Sequence, residues 1–449
     1  MRLQLPIALA AIAFAVAAPR PPALAQTSPP PLYSVINVNP VGTAEAQAYS
    51  VNDDYQVVGI YIGGGNDRGF LWMPGVPSFP FDSSTSTFAY GINGLGQIAG
   101  AGWNATDGFA GNATIWSPNT YLGTTYTKTT DLAGTGTYGS GFSAIDYFGD
   151  AVGTLSTSNT SYAALEFASG GQFTGSSAYS PNAVNSAYGA SCGFPAAWCL
   201  PIFDAQPPVP LAGGTFGGNT YASYDGTGLD DANDVIGFAY ETAADAYEAF
   251  AWNGITGTPY GPLGHLPHTT TGQAFAINSA SGLVVGRSGA RAFLWSGDIT
   301  NPTAGTMTDL NSLVENNSGW RLVSASGLND YGAIVGYGYY QQKEAAFLAI
   351  PVIVSSLTMD SSTVVGGSTI GGTITLDAPA PFDMSVTVST YNSKLNFGAG
   401  VYSTSVIVYS GDTSASFTAS TSSVTTATNV TLKATFGGWR RYAHVVVEP

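Results

Sequence analysis

The sequence predicts an all-β protein in which a seven-bladed β-propeller precedes an immunoglobulin-like β-sandwich. Three observations predict it. A short unit recurs seven times between residues 48 and 350, the chain is rich in turn formers with 57 glycines, and near Val352 the composition changes to alternating Thr, Ser and Val.

The first 25 residues read as a secretory signal peptide. Arg2 gives the positive start, Leu3 to Ala18 the apolar stretch, and Ala23-Leu24-Ala25 before Gln26 a small-residue cleavage site. The apolar run is shorter than the roughly 20 residues a spanning helix needs, so no membrane span is expected. Removing the segment takes away two basic residues and no acids, which moves the formal charge from −16 to −18. Such a chain repels phosphate backbones, and nucleic acid is not an expected partner. With 44% hydrophobic residues it can bury substantial cores.

Residues 26–350 carry the repeat. Its unit is a small residue, an apolar residue with Asn or Asp, a turn, an apolar pair, a glycine, and an apolar run that usually ends in Trp. The seven copies begin Val51-Asn52, Ile92-Asn93, Ile145-Asp146, Val184-Asn185, Leu229-Asp230, Ile277-Asn278 and Leu328-Asn329. Their glycines are Gly59, Gly100, Gly153, Gly193, Gly237, Gly286 and Gly336, separated by 41, 53, 40, 44, 49 and 50 residues. That period suits four-stranded propeller blades. Helical repeats of similar length are excluded by the short β-branched and aromatic segments, broken at Gly, Asn and Asp.

Within each unit the expected strands run through the Ile-Asn segment, the Val-Val-Gly segment, the Phe-Leu-Trp segment and a final Asp-Leu or Leu-Gly. Five of the eight tryptophans share one repeat position, which predicts packing between neighbouring sheets. The seventh copy ends at Ala349-Ile350 after three strands, so Tyr33 to Val41 is expected to supply its fourth. The fourth unit is compressed. Its Cys192 and Cys199, bound for an oxidising compartment, are expected to form a disulfide across adjacent strands.

Residues 351–449 form the sandwich. Ser356 to Met359, Thr373 to Leu376, Ser385 to Val388, Ser405 to Val408, Ala415 to Thr418 and Val430 to Lys433 mostly alternate polar and apolar residues. The cysteine pair of antibody domains is missing.

On these residues, clearest over Ala274 to Trp295 and Ser324 to Leu348, the chain resembles the extracellular HAF repeat family. Its units combine Ile-Asn, Val-Val-Gly and a His-Ala-Phe-Leu-Trp strand. The resemblance implies an extracellular propeller-like architecture and no established reaction. At the namesake histidine this chain has Arg68, Asn112, Ala163, Glu248, Arg291 or Ala345, with Phe194 in the fourth unit. That departure argues against a shared catalytic histidine.

No catalytic or metal-binding set is predicted, and no cofactor. Gly189-Ala190-Ser191-Cys192-Gly193 matches a nucleophile elbow, but its glycines fall near repeat positions and no helix follows. His265 and His268 flank a proline and lack a third ligand. Asp230 to Asp234 has the wrong spacing for a calcium loop and reads as Asx-turn chemistry.

The expected binding residues lie between second and third strands: Tyr61, Trp103, Asn104, Asp107, Tyr240, Glu241, Asp245, Tyr339, Tyr340 and Gln341. Aromatic rings beside polar groups suit an extracellular glycan or a cell-envelope component. The expected function is a secreted or surface-associated binding or adhesion protein. A polysaccharide-cleaving propeller, which needs paired carboxylates, and a structural envelope component are the alternatives.

Overall fold

A computed structural model describes residues 31–43, 45–63, 66–82, 86–102, 111–132, 139–158, 161–168, 171–174, 181–185, 190–192, 197–199 and 209–449. Within them, the side chains of 63, 66, 156–181, 190–210, 223 and 224 are outside the description. The predicted signal peptide, Trp103, Asn104 and Asp107 also lie outside the described residues.

The protein is all-β. Among the described residues the only helical segments are two 3-10 turns, Pro302–Ala304 and Leu310–Leu313, and no helix is long and apolar enough to cross a membrane. Seven antiparallel sheets follow one another from residue 34 to 350. The first contains Glu45–Val51, Val57–Gly63, Asn66–Met73 and Val76–Phe79; the second Thr87–Ile92, Ile98–Gly102, Asn112–Pro118 and Tyr126–Leu132. The third and fourth start at Gly141–Ile145 and Pro181–Val184. The fifth gains a strand, Gly214–Phe216, ahead of Asn219–Leu229, and the sixth starts at Gly272–Ile277.

The seventh sheet consists of Trp320–Leu328, Ile334–Tyr340 and Lys343–Ile350, completed by Ser34–Asn37 from the start of the described chain. Ser34 pairs with Ile350 and Asn37 with Phe347, antiparallel. The strand expected within Tyr33 to Val41 therefore occupies the place the repeat leaves empty.

Successive sheets share cores. Trp116 packs with Leu71 and Phe81 between the first two, Trp252 with Leu211 and Tyr221 before the fifth, and Trp295 with Ile236 and Leu263 between the fifth and sixth. Each of these tryptophans faces the preceding unit. Val335 and Leu348 of the seventh sheet share a core with Ala48, Val57 and Phe70 of the first. The first strands of consecutive sheets contact each other throughout, and Trp320–Leu328 contacts Glu45–Val51 in the same way.

Each first strand carries a register shift at one repeat position, around Tyr49, Tyr90, Ser143, Asn182, Thr227, Phe275 and Ser326. A bulge of this kind inserts one residue and sharpens the local twist. It also accounts for the repeat glycine. A Cβ built on Gly59, Gly100, Gly153, Gly237, Gly286 or Gly336 would run into the carbonyl oxygen of Gln47, Phe88, Gly141, Asp225, Gln273 or Ser324, far inside the 3.0 Å that real Cβ atoms respect.

The Asx residue closes each turn. Asn52 Oδ1 accepts from Gln56 N at 2.9 Å, Asp146 Oδ1 from Phe148 N and Asp150 N at 2.9 and 2.8 Å, and Asp230 Oδ1 from Ala232 N and Asp234 N at 2.9 and 2.8 Å. Where the residue is Asn, its amide reaches the next unit. Asn52 Nδ2 donates to Asn93 O (2.9 Å), Asn93 to Asp146 O (2.9 Å), Asn185 to Asp230 O (2.6 Å) and Asn329 to Asn52 O (3.1 Å).

Asp146 lacks that donor. Its Oδ2 is buried without a partner, the residue is 5% exposed, and burial pushes its carboxyl up to about 6 despite the backbone N–H bonds that oppose the shift. A carboxyl raised in the folded state holds its proton longer there than in the unfolded chain. Its stabilising effect is present below about pH 4 and is lost as pH rises through about 6. Asp146→Asn is therefore expected to raise stability at pH 7 by about 1 kcal/mol. The gain should shrink as pH falls from 6 to 4, which melting curves across that range would measure. An unchanged melting temperature at pH 7 would count against the relay.

In the fourth sheet Cys192 pairs with Ala197 and Cys199 with Ala190. The register therefore sets the cysteines diagonally rather than directly across, and their side chains lie outside the description.

Residues 354–448 form two further sheets. One orders Val354–Met359, Thr369–Leu376, Ser414–Thr421 and Leu395–Asn396; the other orders Thr363–Val365, Trp439–Glu448, Thr428–Phe436, Met384–Thr390 and Ser403–Val408. Leu357, Ile374, Val386, Val408, Leu432 and Val445 fill the core between them. That core is continuous with the seventh and first sheets. Phe382 stands 5.4 Å from Tyr55 and 6.2 Å from Trp72, and Trp439 Nε1 donates to Tyr33 O at 2.7 Å in a buried contact. The pair of sheets is thus docked on the repeat region and is not a loosely tethered spacer.

Candidate functional site

The Asx turns of consecutive units lie side by side, and among the described residues Tyr121, Tyr147, Phe148 and Tyr331 are exposed at their end of the sheets. The fourth turn position needs a left-handed backbone. Gly96, Gly149 and Gly332 supply it in three units, with φ of 76°, 90° and 76°. Tyr55 adopts it at φ 59°, a strained conformation for a bulky residue. Its ring is held by stacking on Tyr331 at 6.0 Å and by the edge contact with Phe382.

Beside these turns lies a cleft of about 470 Å³, lined in part by Asp53, Asp54, Asn93, Tyr121, Tyr147 and Asp330. Each polar group is positioned by its own turn. Asp53 Oδ1 accepts from Asp330 N at 3.0 Å, which joins the first unit to the seventh. Asn278 Nδ2 donates to Asp330 Oδ1 at 2.6 Å. Tyr121, on the hairpin between the third and fourth strands of the second sheet, leans over the first unit and donates to Asp54 Oδ2 at 2.5 Å.

Tyr121 and Tyr147 are 63% and 58% exposed. Burial raises the carboxyl of Asp53, its bond from Asp330 N works against that, and the nearby Asp330 and Asp54 charges add to it. The arrangement presents carboxylate acceptors between aromatic faces, which suits hydroxyl-rich ligands.

The residues expected from sequence sit at the opposite ends of the second and third strands, and the structure gives most of them intrachain roles. Tyr61 is buried in the core shared by the first and seventh sheets. Glu241 is buried and caps its own hairpin, accepting from Ala243 N and Ala244 N at 2.9 and 2.8 Å. Tyr240 donates to Asp245, whose φ of 53° forms the turn. Arg321 lies over the Tyr339 ring at 4.6 Å, and Gln341 N donates to Gly319 O at 2.9 Å in a left-handed turn. Tyr340 packs against Trp320 at 5.0 Å, the rings tilted by 35°, and lines a cleft of about 360 Å³ with Arg440 and Gly437 of the docked sheets. Tyr61, Tyr340 and the Tyr240–Asp245 turn thus occupy different local settings, and Trp103, Asn104 and Asp107 lie outside the described residues.

At the histidine position of the repeat, Arg291 pairs with Asp309 at 2.9 Å and Glu248 accepts from Tyr221. His265 Nδ1 lies 3.5 Å from Glu248 Oε1, and His268 occupies a left-handed turn with φ 64°. Among the described residues no group of three His, Cys, Asp or Glu side chains could hold a metal ion. Ser191 lies in the strand Ala190–Cys192, and the flanking Gly189 and Gly193 are outside the described residues.

Tyr121, Tyr147 and Asp330 were not singled out by sequence. A signal existed in the aromatic residues directly after the turn Asx in Asp146-Tyr147-Phe148 and Asn329-Asp330-Tyr331.

No family model matches the chain, and no curated protein matches it significantly. Among solved structures, it is similar to the Pseudomonas fluorescens alkylpurine DNA glycosylase AlkC bound to DNA containing an abasic site analog. The identity is 16%, the TM-score 0.17, and the match covers 22% of this chain and 30% of that one. It is also similar to a structure described as the structural basis for Dscam isoform specificity, at 8% identity and TM-score 0.17, covering 93% and 99%. Neither likeness carries a functional argument.

Proposed function

We propose that this is a secreted or surface-associated binding protein. Its seven sheets are the blades of a closed β-propeller, residues 351–449 are an immunoglobulin-like sandwich docked on it, and the cleft at the Asx-turn end holds a neutral oligosaccharide. Ring closure is supported by Ser34–Asn37 completing the seventh sheet and by Asn329 bonding to Asn52. The secreted setting rests on the signal-peptide pattern and on the resemblance to the extracellular HAF repeat family.

The observation that carries the binding reading is the pair of exposed tyrosines, Tyr121 and Tyr147, beside Asp53, Asp54 and Asp330 in one cleft. Pyranose rings present an apolar face to an aromatic ring and hydroxyls to carboxylates. The mature protein is expected to bind a subset of neutral glycans on an array. Tyr147→Ala, which removes an exposed ring, should weaken that binding about ten-fold with an unchanged melting temperature. Silence across neutral glycans, or full binding by Tyr147→Ala, would overturn the assignment.

A further inference from the structure

The charge of the protein is unevenly placed. Of its 28 acidic residues only five fall in residues 351–449, whereas four of its twelve basic residues do. Two of those four, Lys433 and Arg440, stand on the outer face of the five-stranded sheet, within a groove of about 690 Å³. Tyr391 and Tyr442 line it with them, and none of its described lining residues is acidic.

The register explains the grouping. Lys433 pairs with Tyr442 and with Ser389, Arg440 pairs with Thr435 one step along the same face, and Tyr391 follows Thr390, whose partner is Leu432. Directly opposed side chains on one face stand about 5 Å apart, which sets Lys433 beside Tyr442 and diagonally from Arg440, whose Nη2 donates to Asn317 O at 3.2 Å. Lys433 Nζ lies 5.5 Å from the Tyr391 ring centre. Asn392 braces the edge through its Nδ2 bond to Asn429 O at 3.0 Å.

Tyr391 is 93% exposed, and its ring adds almost nothing to the fold. A nearly free ring beside two cations and no carboxylate is costly surface to leave in a chain otherwise so acidic.

We propose that this groove binds a carboxylated polysaccharide, with uronate carboxylates on Lys433 and Arg440 and sugar rings against Tyr391 and Tyr442. Ser389, Ser393 and Thr431 along the groove offer hydroxyls to an extended chain of sugar rings. Nucleic acid fits less well, since its phosphate density would meet the strongly negative repeat region. The site is separate from the Asx-turn cleft, and either assignment can fail without the other.

The test is affinity electrophoresis of the full chain through gels containing polygalacturonate, with dextran as neutral polymer and single-stranded DNA as competing anion. Retardation by polygalacturonate alone is expected, falling as salt rises. Tyr391→Ala and Lys433→Gln should each weaken it about ten-fold. Tyr409→Ala, which removes another exposed tyrosine outside the groove, should not. Tyr391 is exposed and Lys433 half-buried, and equal melting temperatures of the two variants would show that the fold is intact. No retardation by polygalacturonate, retardation by dextran that Tyr391→Ala and Lys433→Gln weaken to the same degree, stronger binding of DNA, or unaltered retardation of both variants would each overturn the proposal.

Discussion

Gly286→Ala is expected to destabilise the protein by about 3 kcal/mol or more, enough to cut soluble yield and lower the melting temperature by several degrees. The cause is the bulge opposite the glycine. Ala274 pairs with Gly286, Ala276 with Val285, and Phe275 is left without a partner between them. That insertion drives the Gln273 carbonyl toward the space a Cβ would fill, while the Phe293 ring carbons lie only 2.8 Å from the same point. Neither neighbour can yield cheaply, because the carbonyl belongs to a paired strand and Phe293 is fully buried.

Gly75→Asn is the matched comparison. Gly75 has φ 76° with nothing within 4 Å of a built Cβ, and asparagine tolerates that conformation, so the change should cost less than about 1 kcal/mol. Thermal melts of both variants decide the matter. A Gly286→Ala protein that melts with the wild type would show that the glycine is not required by the bulge.

The same case shows what was legible in the sequence. Val-Val-Gly could be seen to recur, but its reason could not. The bulged residues Tyr49, Tyr90, Ser143, Thr227, Phe275 and Ser326 share no chemistry, since the backbone register rather than a side chain makes the bulge. The four-strand unit apart from the strand added in the fifth sheet, the turn role of Asn52 and its counterparts, the packing of Trp116, Trp252 and Trp295 between neighbouring sheets and the completing strand at Ser34 were legible, because each depends on local pattern or on a missing partner. The docking of the C-terminal sheets was not. Nothing in the local pattern marks Phe382 or Trp439 as a docking residue, and only the tertiary structure brings them to Tyr55 and Tyr33. Loops between the second and third strands vary most in sequence, yet Glu241 and Gln341 spend that variety on closing their own hairpins. Among the described residues, the exposed rings of Tyr121, Tyr147 and Tyr331 lie beside the regular Asx turns.

Deleting residues 31–38 is expected to have the largest effect of all. Tyr33, Val35 and Val38 are buried, and losing burial of about 1.5–3 kcal/mol for each large apolar side chain removes on the order of 5 kcal/mol. The deletion also breaks two ties to the C-terminal sheets: Val35 N no longer donates to Gly437 O, nor Trp439 Nε1 to Tyr33 O. What remains is the strand Lys343–Ile350 with one edge unpaired and Phe347 and Ala349 uncovered, a surface that invites pairing with other chains. The truncated protein should therefore aggregate, and a synthetic peptide spanning residues 31–41 should rescue it in trans by restoring the antiparallel pairing of Ser34 with Ile350. A peptide carrying Val35→Asp should fail, because it sets a charge against the apolar core around Leu294 and Leu322. Soluble fraction and melting temperature with and without peptide give the result. A truncated chain that stays monomeric and melts like the full one would mean that the seventh sheet does not depend on its borrowed strand, and that contacts between neighbouring sheets alone hold the first unit to the last.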